Sequence, residues 1–428
     1  MLKLRYPICL IVLSLCVIRV QSQQADVYYV RDYGAKGDGL SDNTAAFQKA
    51  LDAAGQAHGG TVIANRGNYF FAGHLNVPDA VTLQGTWKSV PSHPIGFNGA
   101  DQPKAMDEGT TFLITENEGR ENGNPFIQLN NNSTLCGVVL FYPRQKKTNT
   151  PAAYPYSIAT RGENSAVLDV ELLNAYNGID VSDSPRHLLR NISGQPLRRG
   201  IYMENIFDIG RIENVHFNPW WSGTETAAYK WQMENGEAFI FGRSDWEYVL
   251  NTFCYGYKVG YKFFQSDRGV CNGNFLGIGA DNCYTAVLVE QSANFGLLIA
   301  NGEFTSFNGP DPTMVVVGPD NRGVVRFSNC SFWGPCNQIA KIAGMGTVGF
   351  SDCTFCKWDR TDEGRAALQV ASGTVLIRGC EFQQDKAQID LGVNVQRAVI
   401  SDNVIKGKFR IKNSSPQPFQ IHDNTAQP

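Results

Sequence analysis

The residues whose types and spacing could do chemistry begin with two carboxylates, Asp245 and Glu303, with Glu247 as a second partner for Asp245. Hydrolysis of a glycosidic bond commonly uses two carboxyl groups, an acid and a base or nucleophile, about 5 Å or about 6.5 to 9.5 Å apart. The stretch 214–281 surrounds Asp245 with His216, the run Phe217-Asn-Pro-Trp-Trp221, Arg243, Asp267-Arg268, Asn274 and Asp281. Aromatic planes pack on the apolar faces of sugar rings while polar groups bond the hydroxyls, so Trp220 and Trp221, in a loop beside Pro219, are expected to form a platform. His216 could tune Asp245 or touch substrate. Arg243, Asn274, Asp267, Arg268 and Asp281 complete the candidate binding set.

What positions such residues is a repeat. Phe327-Ser-Asn-Cys-Ser-Phe332, Phe350-Ser-Asp-Cys-Thr-Phe355 and Ile377-Arg-Gly-Cys-Glu-Phe382 are followed by weaker echoes at Ile400 and Ile421, a period of roughly 20 to 28 residues. Within each phrase the alternation is period two: Cys330, Phe332, Cys353, Phe355, Cys380 and Phe382 share one side, Ser331, Thr354 and Glu381 the other. One strand per repeat, apolar in and polar out, is the pattern of an all-β, single-stranded parallel β-helix. Steps of about 28 residues upstream from Ser331 predict an outward column of His187, His216, Asp245, Asn274, Glu303, Ser331, Thr354 and Glu381, rising about 4.8 Å per coil. Trp246 is expected to point inward. Two coils separate Asp245 from Glu303, with Asn274 between them, which places the pair near the separation of an inverting glycosidase.

The remaining chain is consistent with one long solenoid. Residues 1–22, with Lys3, Arg5 and an apolar run from Ile8 to Ile18, read as an export signal cleaved near Ser22 and too short to span a membrane comfortably. Residues 23–428 read as one β-helix domain: a cap and first coils at 27–87, a loop-rich insertion at 88–155 with one strand at 134–142, and regular coils at 156–428. The net charge of −3 gives no reason to expect nucleic acid or an anionic membrane surface as partner. Of eleven cysteines, Cys9 and Cys16 lie in the signal, so nine remain and at least one stays unpaired within a monomer. Cys353-x-x-Cys356 lacks the second pair or clustered His of a zinc site, and no metal or other cofactor is expected.

Residues 27–87 carry a resemblance. Tyr29-Val-Arg-Asp-Tyr-Gly-Ala-Lys-Gly-Asp-Gly39, Ser41 to Leu51, Gly59-Gly-Thr-Val-Ile63 and Val81-Thr-Leu-Gln-Gly85 resemble the opening of the pectate-lyase-like superfamily, in its group of rhamnogalacturonases, polygalacturonase-related hydrolases, epimerases and phage tailspikes. The resemblance implies a right-handed parallel β-helix and a saccharide ligand. Independently, Ala45, Phe47, Leu51 and Ala54 after Asp42 or Asn43 predict a short amphipathic helix laid over the open end of the coil, with Asp32, Asp38 and Asp42 as turn and cap residues. Of the polygalacturonase motifs only Arg410-Ile-Lys412 is present, without its partners, and the calcium-site Asp cluster of a pectate lyase is absent. The expected function is therefore a secreted, carbohydrate-active protein acting on a polysaccharide or oligosaccharide. Three readings follow: a glycoside hydrolase cutting a complex or acidic polysaccharide, a lyase or uronate epimerase that would need a base such as His216 or a lysine and an Arg to neutralise the uronate, with calcium as an option for a lyase, or a non-catalytic glycan-binding solenoid.

Overall fold

The computed structural model describes residues 26–95 and 108–427; the expected export signal lies outside them. All its strands join one continuous sheet in which every pairing is parallel, a right-handed parallel β-helix. Each coil contributes strands to three faces. Face A stacks 177–182, 199–204, 237–241, 259–263 and 285–289. Face B stacks 188–190, 211–213, 248–250, 274–276 and 298–300, and face C stacks 192–194, 215–217, 252–255, 279–281 and 303–304. The region expected to be a loop-rich insertion also contains ladder strands, Thr110–Ile114, Ile127–Leu129 and Thr134–Phe141, so coils run through it as well.

One corner recurs with little variation. Between faces B and C the chain turns at a single residue with φ of 51° to 70°: Gly137, Asp169, Asn191, Asn214, Asn251, Gly277, Asn301, Asn329, Asp352, Gly379, Asp402 and Asp423. Only Gly, Asn and Asp enter this left-handed region cheaply, which explains the composition of the column. Where Asn occupies it the amides bond up the stack, Asn191 Nδ2 to Asp169 Oδ1 at 2.8 Å, Asn214 Nδ2 to Asn191 Oδ1 at 2.8 Å and Asn329 Nδ2 to Asn301 Oδ1 at 2.7 Å.

The interior is filled by equally regular columns. Phe304, Phe332, Phe355 and Phe382 stack with ring centroids 5.3, 5.5 and 4.8 Å apart, and Phe327 lies 5.1 Å from Phe350. Cys330, Cys353 and Cys380 are buried beside them, inward as the period-two pattern expects. The nine described cysteines are all free thiols, packing as small hydrophobes rather than pairing.

Helix α1, Thr44–Gln56, closes the N-terminal end. Its buried stripe is Phe47, Ala50, Leu51 and Ala54, while Ala45 faces out. Asp42 Oδ1 caps it by accepting from the Thr44 backbone N–H (3.0 Å) and hydroxyl (2.6 Å). Phe47 meets Tyr69, Phe71 and Phe112 edge-on at 5.0, 5.0 and 5.5 Å, so the cap is fastened by aromatic contact with the first coils. Among the described residues no helix is long and apolar enough to cross a membrane.

The corner column can be tested directly. Asn329→Val forces a β-branched residue to the φ of 51° found there and removes one amide of the stack, so we expect a loss of about 1–3 kcal/mol and a lower denaturant midpoint. Asn329→Gly, which keeps the backbone free, is expected to lose clearly less.

Candidate functional site

The register decides where each expected site residue lies. On face C the outward column is Glu171, Ser193, His216, Phe253, Gly279, Glu303, Ser331, Thr354 and Glu381. His216 and Glu303 through Glu381 therefore share a column, but Asp245 and Asn274 are not in it. Asn274 pairs with Tyr248 and Leu298 on face B. Asp245 sits at the A-to-B corner, where the ladder register shifts between Ser244 and Glu247. The expected pairing of Asp245 with Glu303 is thus corrected: the two leave different faces of the coil. The coil between His216 and Phe253 is lengthened by helix α2, Ala227–Asn235, and a constant step through it slips the register.

Four further expectations are corrected by burial or exposure. Glu247 has no exposed surface, so it cannot meet a polymer; its Oε1 lies 3.0 Å from Nε2 of His187, also fully buried rather than outward. Trp221 is fully buried in a small cluster with Val139, Phe141, Leu173, Leu197 and Ala228, behind the face it was expected to furnish. Trp246 is 61% exposed rather than inward, because the shift at the corner gives it a φ of 54°.

The other candidates fall into two groups. On face C, His216 is flanked by Trp220 (4.7 Å) and Phe253 (5.0 Å), and burial lowers its pKa. Asp281 pairs with Tyr255 in the ladder and accepts the Thr305 hydroxyl at 2.5 Å. Higher on this face the loop 86–95 folds over the strands: the His93 backbone N–H donates to Glu171 Oε1 (2.7 Å), its ring bonds the other oxygen, and Ser193 donates to the Pro91 carbonyl. Arg243 and Asp245 instead border face A, with Asp267 and Arg268 exposed in the next turn.

Face A holds the richest constellation, which sequence reasoning missed. Its outward positions are Tyr156, Asn177, Arg199 and Glu237 in one row, Asp180, Tyr202, Ile240 and Lys262 in the next, and Ser182 and Glu204 beyond. Tyr156, Tyr202 and Phe264 form an aromatic strip with centroids 6.3 and 6.1 Å apart. Asp180 accepts from Arg161 Nη2 and from Ser182 Oγ, each at 2.5 Å. Glu204 accepts from Ser266 Oγ at 2.7 Å and from the Arg243 backbone N–H at 3.3 Å. Gly242 leaves room for this carboxylate, since a Cβ there would lie 1.8 Å from Glu204 Oε2 and the Glu204 side chain would have to move. Glu121, reaching in from the loop on the far side, takes Arg199 Nη1 at 3.2 Å and Asn177 Nδ2 at 3.3 Å. Lys262 bridges Glu237 (3.2 Å) and Glu290 (3.5 Å). Burial, reinforced by Glu204 and Asp180, raises the Tyr202 phenol pKa, so it is a proton donor rather than a base near neutrality.

The spacing of the two carboxylates follows from the ladder. Asp180 pairs with Tyr202, two residues before Glu204 on the same strand, so one coil and two residues separate them. At about 4.8 Å per coil and 3.3 Å per residue their backbones are about 8 Å apart, with both side chains leaving the same face. Among the described residues no group of three or more His, Cys, Asp or Glu could hold a metal ion.

Residues 27–235 match the family described as rhamnogalacturonase A/epimerase, pectate lyase-like. The N-terminal fragment of bacteriophage phi29 gene product 12 has the same fold, with a TM-score of 0.57 at 12% identity over 92% of this chain and 72% of that one. The chain belongs to the pectate-lyase-like superfamily. Short segments are similar to proteins of Azotobacter vinelandii: 56% identity over 89 residues of mannuronan C5-epimerase AlgE1, which is 21% of this chain and 6% of that protein. Alginate lyase 7 is 54% identical over 56 residues, 13% of this chain and 6% of the relative. The matched segments thus span only a small part of those relatives' length. The family match includes the coils that bear Asp180 and Glu204, and a second repeat marks them in the sequence: Asn177-Gly-Ile-Asp-Val-Ser182, Arg199-Gly-Ile-Tyr-Met-Glu204, Glu237-Ala-Phe-Ile-Phe-Gly242 and Val259-Gly-Tyr-Lys-Phe-Phe264.

The buried His187 and Glu247 pair gives a pH signature. Burial opposes the charged imidazole, but attraction and hydrogen bonding to Glu247 outweigh it and raise the His187 pKa. A raised folded-state pKa stabilises below the unfolded value of about 6.5, and that stability is lost as pH rises through the folded value. The thermal midpoint is therefore expected to fall as pH increases above about 6.5. In Glu247→Gln the protein should be less stable overall and this slope should flatten; an unchanged slope would assign it to other groups.

Proposed function

We propose that this protein is a polysaccharide-processing enzyme whose substrate lies across face A, with Asp180 and Glu204 as the paired carboxyl groups of a glycoside hydrolase. The observation that carries this reading is the pair itself: two carboxylate residues whose backbones are about 8 Å apart on one face, beside an aromatic strip. Side chains leaving one face from backbones that far apart can reach the carboxyl separation of inverting hydrolysis, in which one carboxyl protonates the leaving oxygen and the other activates a water on the opposite side of the ring. Tyr156, Tyr202 and Phe264 would support the sugar rings. Arg161, Arg199 and Lys262 on or beside the same floor are each paired with a carboxylate of the protein, Asp180, Glu121 and Glu237, so a uronate would bind there only by exchanging one of these pairs. Export, expected from residues 1–22, suits a polymer found outside the cell.

A second reading is favoured by the similarity to mannuronan C5-epimerases and an alginate lyase. There the reaction begins with removal of the proton beside a uronate carboxylate; a carboxylate of this face such as Glu204 would take that proton, Arg199 or Lys262 would exchange its protein partner for the uronate, and a phenol such as Tyr202 would return a proton.

Digestion of a panel of neutral, uronate and sulfated polysaccharides separates the readings. Hydrolysis gives new reducing ends alone, elimination adds an unsaturated product absorbing in the ultraviolet, and epimerisation changes the C5 configuration without cutting. Asp180→Asn and Glu204→Gln are each expected to lower turnover by about 100-fold to 10,000-fold while circular dichroism stays that of the wild type. Turnover that survives both substitutions would place the chemistry elsewhere, with His216, Asp281 and Glu303 on face C as the next residues to replace.

A further inference from the structure

A cavity of about 520 Å³ opens at the A-to-B corner, lined among others by Arg243, Asp245, Asn272, Gln291, Phe295 and Arg322. It adjoins face A, since the Arg243 backbone N–H bonds Glu204, but neither Asp180 nor Glu204 lines it.

Three large aromatic side chains along this corner are unusually exposed, Trp246 at 61%, Phe207 at 59% and Phe295 at 71%, and Phe295 lines the cavity itself. Trp246 is held there at a backbone cost, because its φ of 54° lies in the left-handed region that bulky residues avoid. Its backbone N–H is fixed by Asn272 Oδ1 at 3.1 Å, and the Asn272 amide in turn bonds Asp245 Oδ1 at 2.9 Å. The two guanidinium groups are likewise fixed. Arg243 lies 3.9 Å above the Phe207 ring and donates to the Ile206 carbonyl. Arg322 Nη1 donates to the carbonyls of Pro319 (2.6 Å) and Asn321 (3.2 Å), and its backbone N–H to Gln291 Oε1 (2.7 Å). Neither arginine has a carboxylate partner among the described residues. Phe241, Phe263, Val289 and Val317 are successive rungs, so Arg243 and Arg322 lie about three coils, or about 14 Å, apart.

We propose that this corner is an accessory binding site for an anionic oligosaccharide, separate from the reacting centre. Exposed aromatic faces suit the apolar sides of pyranose rings, and two guanidiniums without carboxylate partners, carried on coils of fixed spacing, suit anionic groups on a repeating chain. Carboxylates of uronates and sulfate esters share this chemistry. A site here would hold a polymer beside face A while the reacting residue changes, which rests on the reading of face A as a glycan site; binding itself does not.

The test uses the full chain and three probes: an oligouronate, a sulfated oligosaccharide and a neutral oligosaccharide of equal length, followed by tryptophan fluorescence and calorimetry. One or both acidic probes should bind, with affinity falling as salt is raised, and the neutral probe should bind at least tenfold more weakly. Trp246→Gly, which relieves the backbone, and Arg322→Gln are each expected to weaken acidic binding at least tenfold. The proposal is overturned if no acidic probe binds, if the neutral probe binds equally well, or if folded Trp246→Gly and Arg322→Gln variants keep wild-type affinity. A chain that processes no polymer yet binds in this way would refute the enzymatic reading alone, and an active chain whose binding ignores both substitutions would refute this site alone.

Discussion

The structure depends on one repeated backbone event, the left-handed turn between faces B and C. A parallel solenoid buries its strands only if every coil turns at the same place, because a one-residue slip would exchange inward and outward side chains along a whole strand. Twelve residues from Gly137 to Asp423 make that turn, and each is Gly, Asn or Asp. The amide bonds up this corner add a small gain per coil and, more importantly, reward the correct register over its neighbours. Once the corner is aligned, the residues before and after it form columns automatically. The phenylalanine and cysteine columns inside and the polar columns outside are consequences of this alignment.

Stacking like on like suits apolar side chains but penalises charge, and face A reflects that conflict. Its rows do not repeat a residue type: Asn177, Arg199 and Glu237 follow one another, as do Asp180, Tyr202, Ile240 and Lys262. At about 4.8 Å between coils, identical charges would repel strongly at the low dielectric of a half-buried surface. Alternation lets each carboxylate find a donor in place, as Asp180 finds Arg161 and Glu204 finds Ser266. The cost of assembling so many ionisable groups is met by such pairing, and the result is a face whose groups are held still for a ligand.

Fold and interior were legible because they rest on short-range chemistry. Period two in Phe327–Phe332 and its repeats identifies inward Cys330 and Phe332 without knowledge of the distant chain, and Asp42 with Phe47 identifies the cap. The candidate site was less legible because it depends on how coils of unequal length align. Helix α2 lengthens one coil, and a constant step past it moved Asp245 and Asn274 into a column that belongs to Phe253 and Gly279. The corner carries the missing signal: counting from Asn214 to Asn251 to Gly277 to Asn301 fixes each coil without assuming its length. Glu247 and Trp221 illustrate a different limit, since polarity or a loop position does not reveal that another segment will cover the side chain.

Fold membership leaves reaction class open for a physical reason. A parallel β-helix supplies a rigid floor with fixed spacings, and hydrolysis, elimination and epimerisation all need a ring held flat on such a floor beside one acid and one base. What separates them is which atom the base can reach and whether a uronate carboxylate is neutralised. On face A the carboxylates and the cations are interleaved within a few coils, so small displacements of the sugar along the aromatic strip would present either the glycosidic oxygen to Asp180 and Glu204 or the uronate group to Arg199 and Lys262. On the proposed reading of face A, reaction class would therefore be set less by the residues of the floor than by the segments beside it that fix where a ring stops, the loop bearing Glu121 and the corner bearing Arg243 and Ser266.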